Sequence, residues 1–129
     1  MRYLGIDYGS KKVGVAVSDD AGGFAFPNQT LVNDHRLVAR VVEIAKAEKV
    51  KAIVVGDARS LSGGHNTITA DADRFSDNLK AVSGLTIFRV REAYSSAEAM
   101  RFAPPHKRHD DSAAAAILLQ RFLNEHPTS

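Results

Sequence analysis

The chain has 129 residues, a formal net charge of +2 at pH 7 and no cysteine. This length suits one domain that buries a core without cross-links, and the lack of cysteine excludes disulfides and thiolate metal sites. No apolar run approaches a membrane span and no signal-peptide pattern is present. We therefore expect a single cytoplasmic domain over residues 1–129 with no membrane partner.

The N-terminal segment predicts a β-hairpin. Two runs rich in Val, Ile and Tyr, Tyr3 to Asp7 and Lys12 to Ser18, flank a turn that contains Gly9. In the second run, branched residues alternate with small ones: Val13, Val15 and Val17 with Gly14, Ala16 and Ser18. One face of this strand is nearly bare, so we expect a neighbouring element to approach it closely.

The remaining chain predicts a third antiparallel strand, followed by alternating helices and strands. The predicted elements begin with a strand from Phe24 to Val32 with Pro27 at a sheet edge, a helix capped by Asp34 and running to about Glu48, and a buried parallel strand from Lys51 to Gly56. A loop from Asp57 to Thr69 leads to a helix from Ala70 to Val82, which is ended by Gly84, and to a strand from Leu85 to Val90. The chain closes with a short helix from Ser95 or Ser96 through Arg101, a basic loop from His106 to His109, and a last helix that begins at Asp110 or Asp111 and frays before Pro127. This order predicts an α/β fold with one mixed five-stranded sheet, three antiparallel strands then two parallel ones, flanked by helices.

Acidic residues follow several of the predicted strands. Asp7, Asp57 and Glu92 come after the first, fourth and fifth strands, and Asp110 and Asp111 open the last helix. The carboxyl ends of parallel strands and the N-terminus of a helix favour such a site. Clustered carboxylates without His or Cys select Mg²⁺ or Mn²⁺. Pairs of such ions support phosphodiester cleavage, because one activates water and the other stabilises the leaving oxygen. Each acid alone also has an ordinary alternative role as a cap, a turn residue or an ion-pair partner.

Four basic residues flank the predicted acidic site: Lys11, Lys12, Lys107 and Arg108. With a net charge of only +2, a nucleic-acid partner must be held by local clusters of this kind. We therefore expect these residues to contact phosphates. The alternative for each of them is an ordinary solvated surface position.

With these residues in view, the sequence resembles the YqgF (RuvX-like) family of the ribonuclease H-like superfamily, which also holds RuvC-type resolvases. The segment DYGSKKVGVAVSD at 7–19 is similar to the opening signature of that family. The segments KAIVVG at 51–56, REAYSSAEA at 91–99 and DSAAAAILLQRFL at 111–123 are similar to its later blocks. The resemblance covers nearly the whole chain and implies a ribonuclease H-like fold.

The resemblance implies an acidic triad of Asp7, Glu92 and Asp111 that binds Mg²⁺ or Mn²⁺. It also implies a metal-dependent nuclease acting on structured nucleic acid, with 5′-end processing of precursor 16S rRNA in ribosome maturation as the expected role. The chain departs from the family at Asp57, and at Arg91 and Ala93 on either side of Glu92. We hypothesise that Asp57 joins the metal site; the competing hypothesis is that Arg91 pairs with Glu92 and weakens metal binding.

Three other functions stay open at this point. Holliday-junction resolution on branched DNA uses the same chemistry and requires a homodimer, whereas an RNA nuclease works as a monomer or a homodimer. The altered residues around Glu92 favour a non-catalytic RNA-binding module of ribosome assembly. The Asp-x-Gly-Ser hairpin also resembles the phosphate-binding opening of sugar-kinase and actin-like ATPases, but 129 residues leave no room for their second domain.

Overall fold

The computed structural model describes residues 1–57, 67–90 and 111–125. Its elements are β1 (Tyr3–Tyr8), β2 (Lys12–Ser18), β3 (Ala25–Val32), α1 (Leu37–Glu48), β4 (Ala52–Asp57), α2 (Thr67–Ser83), β5 (Thr86–Val90) and α3 (Asp111–Glu125). The strands form one sheet in the order β3-β2-β1-β4-β5. Antiparallel pairing joins β1, β2 and β3, and parallel pairing joins β1, β4 and β5. The predicted mixed α/β sheet, the hairpin and the edge position of the strand with Pro27 are confirmed.

The start of α1 differs from the prediction. Asp34 is not the N-cap: the helix begins at Leu37, and Arg36 stands at the N-cap without a side-chain cap. The carboxylate of Asp34 instead accepts a hydrogen bond from the backbone N–H of Arg36 at 3.0 Å. The Asp34 carbonyl accepts another from Leu37 at 3.1 Å. Asp34 therefore forms a turn directly before the helix, and turn formation is the other common role of aspartate at such positions.

The second helix is longer than predicted. It begins at Thr67, so 67–69 belong to a helix and not to the predicted loop. The β-branched residues in this segment have low helix propensity, and propensity is only a weak guide to where a helix begins. Gly84, with φ 72°, follows the helix as predicted. The predictions for 58–66, for the short helix near 95–101 and for the basic loop at 106–109 lie outside the described residues. Within the described ranges, no helix is long and apolar enough to span a membrane.

The sheet has a hydrophobic core on each face. On one face, side chains of the central strands pack against α1 and α2, including Ile6, Val15, Ile53, Val41 and Leu79. On the other face, α3 covers the sheet with Leu118, Leu119 and Phe122 against Tyr3, Ala16 and Val54. Since side chains alternate along a strand, Gly5 and Asp7 share the α3 face with Tyr3.

Small residues let α3 lie close to the sheet. A Cβ on Gly5 would lie 2.7 Å from the Cβ of Leu119, and a Cβ on Gly14 would lie 1.8 Å from the carbonyl oxygen of Asp111. Distances this short leave room only for glycine at both positions. The predicted close approach to the bare face of β2 is confirmed, and it fixes where α3 begins relative to the sheet.

Candidate active site

Asp7 is a buried carboxylate near the carboxyl end of β1. Its residue is only 5% exposed, and it pairs with Gly14 of β2 on one side and with Gly56 of β4 on the other. Directly paired residues project to the same face of a sheet. Both lateral neighbours of Asp7 therefore lack a side chain, and the space that their side chains would need is taken mainly by α3.

The first turn of α3 occupies part of that space. The carbonyl oxygen of Asp111 lies 1.8 Å from the position that a Cβ on Gly14 would take. Because Gly14 is opposite Asp7, the structure brings the first residue of α3 beside the end of β1 that carries Asp7. The positive end of the helix dipole lies there as well and favours negative charge.

The same row of residues continues across the sheet to β5. Gly56 pairs with Val90, the last residue of that strand. Glu92 follows two residues later in the sequence and lies outside the described residues. Lys107, Arg108 and Asp110 also lie outside them, so their predicted roles stay predictions.

Asp57 occupies a different register position from Asp7. It is the last residue of β4 and pairs with Tyr8, whereas Asp7 pairs with Gly56. The hypothesis that Asp57 joins the site of Asp7 stays a prediction, and it must be tested separately from the triad.

Lys11 lies in the turn between β1 and β2, Lys12 is the first residue of β2, and both are exposed. The turn is anchored by Asn33, whose backbone N–H donates to the carbonyl of Lys11 at 2.9 Å. The side-chain amide of Asn33 donates to the carbonyl of Gly9 at 2.7 Å. The backbone that carries both lysines is therefore held by Asn33, the residue after β3, at the same end of the sheet as Asp7.

Sequence reasoning missed the role of Gly56. A Cβ at this position would lie 2.3 Å from Cδ1 of Leu118 and 3.0 Å from Cγ2 of Val90. The available signal was a glycine within a buried strand, which is otherwise unfavourable and often marks a close approach. The middle of α3 packs against Gly56, and its first turn packs against Gly14.

The described part of the site fits a hard divalent cation by its donor chemistry. Asp7 is buried, and a buried carboxylate is stabilised when it is paired or coordinates a metal. Oxygen donors of this kind suit Mg²⁺ or Mn²⁺. The described ranges, which omit 91–110, contain no group of three acidic or histidine side chains placed to hold a metal ion. The third member implied by the family, Glu92, falls within that omitted range.

The family model "RuvX: Holliday junction resolvase" matches residues 1–125. The chain belongs to the RuvX family. A relative from Nitratidesulfovibrio vulgaris, named "Putative pre-16S rRNA nuclease", is 38% identical over 96% of this chain and 94% of its own length. A relative of the same name from Bordetella petrii is 34% identical over 96% of this chain and 95% of its own length.

Solved structures of resolvases share the fold of this RuvX-family chain. Thermus thermophilus RuvC in complex with a Holliday junction superposes with a TM-score of 0.60 at 16% identity, covering 99% of this chain and 97% of RuvC. The fowlpox virus resolvase bound to Holliday junction DNA superposes with a TM-score of 0.58 at 9% identity, covering 95% and 99%. These likenesses confirm the RuvC-type, ribonuclease H-like fold that the sequence predicts.

Proposed function

We propose that this RuvX-family protein is a metal-dependent nuclease that hydrolyses phosphodiester bonds of structured nucleic acid. The observation that carries the proposal is the buried carboxylate of Asp7 beside the first turn of α3, which begins with Asp111. We further propose precursor 16S rRNA as the substrate and 5′-end processing in the cytoplasm as the reaction. The names of the two relatives support this substrate.

Asp7, Glu92 and Asp111 are the residues that would hold Mg²⁺ or Mn²⁺, with Asp57 as a candidate for an additional ligand. When bound, such ions neutralise phosphate charge and lower the pKa of a bound water. Asp7 contributes a carboxylate whose position is set by two strand pairings and not by a flexible loop. Such prepositioning avoids reorganisation during the reaction.

Basic side chains would hold the substrate on either side of the scissile bond. Lys11 lies in the anchored turn and Lys12 directly after it, at the end of the sheet that carries Asp7, and Lys107 and Arg108 precede α3 in the sequence. Lysine and arginine contacts to phosphates fix the register of a nucleic acid without reading its sequence. For binding through such contacts, the logarithm of the binding constant falls linearly with the logarithm of the salt concentration.

The test is cleavage of a precursor 16S rRNA 5′-leader and of a four-way DNA junction, side by side. Wild type and Asp7→Asn are assayed with Mg²⁺, with Mn²⁺ and with EDTA. We expect wild type to cut the RNA only with metal, and Asp7→Asn to cut neither substrate although it binds both. Asp77→Asn, which changes an exposed residue of α2, is the matched control and keeps the wild-type rate.

The same experiment separates the two remaining functions. The description of the family model and the RuvC-type fold favour Holliday-junction resolution as the second candidate, and preferential cutting of the DNA junction by a homodimer would establish it. Binding of RNA without any metal-dependent cleavage would instead establish the non-catalytic assembly module. In that outcome Arg91 and Ala93, which flank Glu92, are the residues to restore to the family pattern.

A further inference from the structure

A basic hollow lies at the end of the sheet that is remote from Asp7. It has a volume of ≈ 280 Å³ and lies where α1 and α2 end and β4 begins. Its apolar floor is formed by Val42, Ala45 and Val50, and its rim by Lys46, Lys49 and Lys51. We call this surface the lysine hollow. The floor residues are buried and the three lysines are exposed, and none of the described residues that line the hollow is acidic.

The charge of the lysine hollow is only partly balanced by nearby acids. Within the described ranges, none of its three lysines forms an ion pair. Of the two acids of α1 near the hollow, Glu48 is paired with Arg2 at 3.3 Å, and Glu43 is exposed one turn before Lys46. The C-termini of α1 and α2 each carry roughly half a negative charge, so with Glu43 included about one positive charge of the three lysines stays uncompensated.

The backbone conformation of Lys49 is the second unusual feature. Lys49 follows α1 in the left-handed region, with φ 58° and ψ 41°, which disfavours side chains with a Cβ. The corresponding residue after α2 is Gly84, with φ 72°. Both helices thus end at the same hollow with a residue of positive φ, and after α1 this residue is a lysine, where glycine is less strained.

We propose that the lysine hollow binds backbone phosphates of a structured RNA at a distance from the scissile bond. An ammonium rim attracts phosphates, and lysine stems lie favourably along an apolar floor. Lys51 directly precedes β4 and lies five residues before Gly56, or roughly 17 Å of extended chain, so a short fragment bound at Asp7 does not reach the hollow. The proposal rests on the proposed function only for the identity of RNA as the ligand.

The test compares two RNAs, a complete precursor leader with its helices and a short fragment that spans only the cleavage position. Binding of each is measured against Lys46→Gln, Lys49→Gln and Lys49→Gly. For the complete leader we expect each variant to bind about eightfold more weakly at 0.1 M salt, and the slope of log K against log salt to decrease by about 0.9. Binding and cleavage of the short fragment stay at the wild-type level.

The pair of substitutions at Lys49 separates binding from stability. Lys49→Gly relieves the backbone and is expected to raise the Tm, while Lys49→Gln does not; both weaken leader binding equally. Arg36→Gln, which removes one exposed charge near the start of α1, is the control and leaves leader binding unchanged. Equal weakening by Arg36→Gln, or wild-type binding by Lys49→Gly, would overturn the proposal.

Failure of this proposal is distinguishable from failure of the nuclease function. If the leader is cut normally and the lysine variants bind it like wild type, the hollow has no part in RNA binding while the nuclease function stands. If the variants lose leader binding but no substrate is cut by wild type, the hollow is an RNA contact of a protein that is not a nuclease.

Discussion

Asp7 and Gly14 lie opposite each other across β1 and β2, and the missing side chain of Gly14 gives α3 its place beside the carboxylate. The space that a Cβ of Gly14 would need is taken by the backbone of Asp111. The contact is between two backbones, so a rotamer change cannot relieve it. The geometry of the candidate site therefore depends on a residue that has no functional group.

The first prediction concerns Gly14→Ala. The added methyl group would force the first turn of α3 away from β2, and overpacking of this kind costs about 1–3 kcal/mol of stability. A displacement of about 1 Å at a catalytic group lowers rates about 100-fold. We expect both effects, measured by urea unfolding and by the rate of metal-dependent cleavage.

Gly23→Ala is the matched control for this substitution. A Cβ at Gly23 has no heavy atom within 4 Å, so stability and cleavage are expected to match wild type. A Gly14→Ala variant that unfolds and cleaves like Gly23→Ala would show that α3 is not held by this contact.

The second prediction concerns Gly56→Ala, where the obstacle is a side chain. The new methyl group would meet Cδ1 of Leu118 at 2.3 Å and Cγ2 of Val90 at 3.0 Å. Because these are side-chain ends, we expect a loss of stability of about 1–3 kcal/mol with a smaller loss of activity than for Gly14→Ala.

Combining Gly56→Ala with Leu118→Val tests the proposed cause. The shorter side chain leaves space for the methyl group, so the double variant should be more stable than the sum of the two single effects. Coupling between contacting residues is usually 0.5–3 kcal/mol in magnitude, and denaturant unfolding of the four proteins measures it. Strict additivity would place the strain elsewhere than at Leu118.

The sequence predicted the sheet well because its strands carry strong local signals. The alternation in β2 and the apolar run of β4 each specify a burial pattern, and the pattern fixes the position in the sheet. Helix starts were predicted less well. Asp34 serves equally as a cap or as a turn residue, and only the contacts of Arg36 and Leu37 with it decide between the two roles.

The candidate site was predictable to a different extent. The strand end after Asp7 and the helix start at Asp111 are visible in the sequence, and the small face of β2 indicates that they approach each other. The register that places Asp57 opposite Tyr8 is not visible, because a shift of one residue exchanges the faces of a strand. The lysine hollow joins α1 and the segment between α1 and β4 with the end of α2, so it exists only in the folded chain.

The third prediction concerns the acid stability of the turn at Asp19. Backbone N–H groups of Gly23 and Phe24 hold the pKa of the Asp19 carboxyl below its usual 3.8, with hydrogen bonds of 2.8 and 3.2 Å. A lowered pKa in the folded state stabilises the protein above pH 3.8, and this contribution is lost as the pH falls through the folded-state value. Asp19→Asn should therefore lose less stability than wild type on acidification from pH 5 to about pH 2.5, as measured by thermal unfolding.

Asp77→Asn serves as the comparison for Asp19→Asn, since Asp77 is exposed on α2. Its stability is expected to follow the pH dependence of wild type. An Asp19→Asn profile that coincides with the Asp77→Asn profile would mean that the turn contributes nothing to acid stability. The pKa of the Asp34 carboxyl is also lowered, mainly by the hydrogen bond from the backbone N–H of Arg36. Its contribution to the pH dependence of stability has the same sign, and both variants retain it.

The last prediction concerns metal binding and is independent of any substrate. A metal that binds only the folded protein stabilises it by about 2.7 kcal/mol at a concentration 100 times its Kd. We expect the Tm of wild type to rise with Mn²⁺ and the Tm of Asp7→Asn to stay constant. Each variant is compared with itself in EDTA, so a change in intrinsic stability does not enter.

Asp57→Asn in the same titration decides whether the site has a fourth acidic ligand. If Asp57 binds the metal, the Mn²⁺-induced rise in Tm is smaller than in wild type, because one carboxylate is lost while Asp7 is retained. An unchanged rise would remove Asp57 from the site, in line with its register opposite Tyr8 and not Asp7. A full rise in Asp7→Asn would contradict the metal site itself, since the proposed site depends on the buried carboxylate of β1 as a ligand.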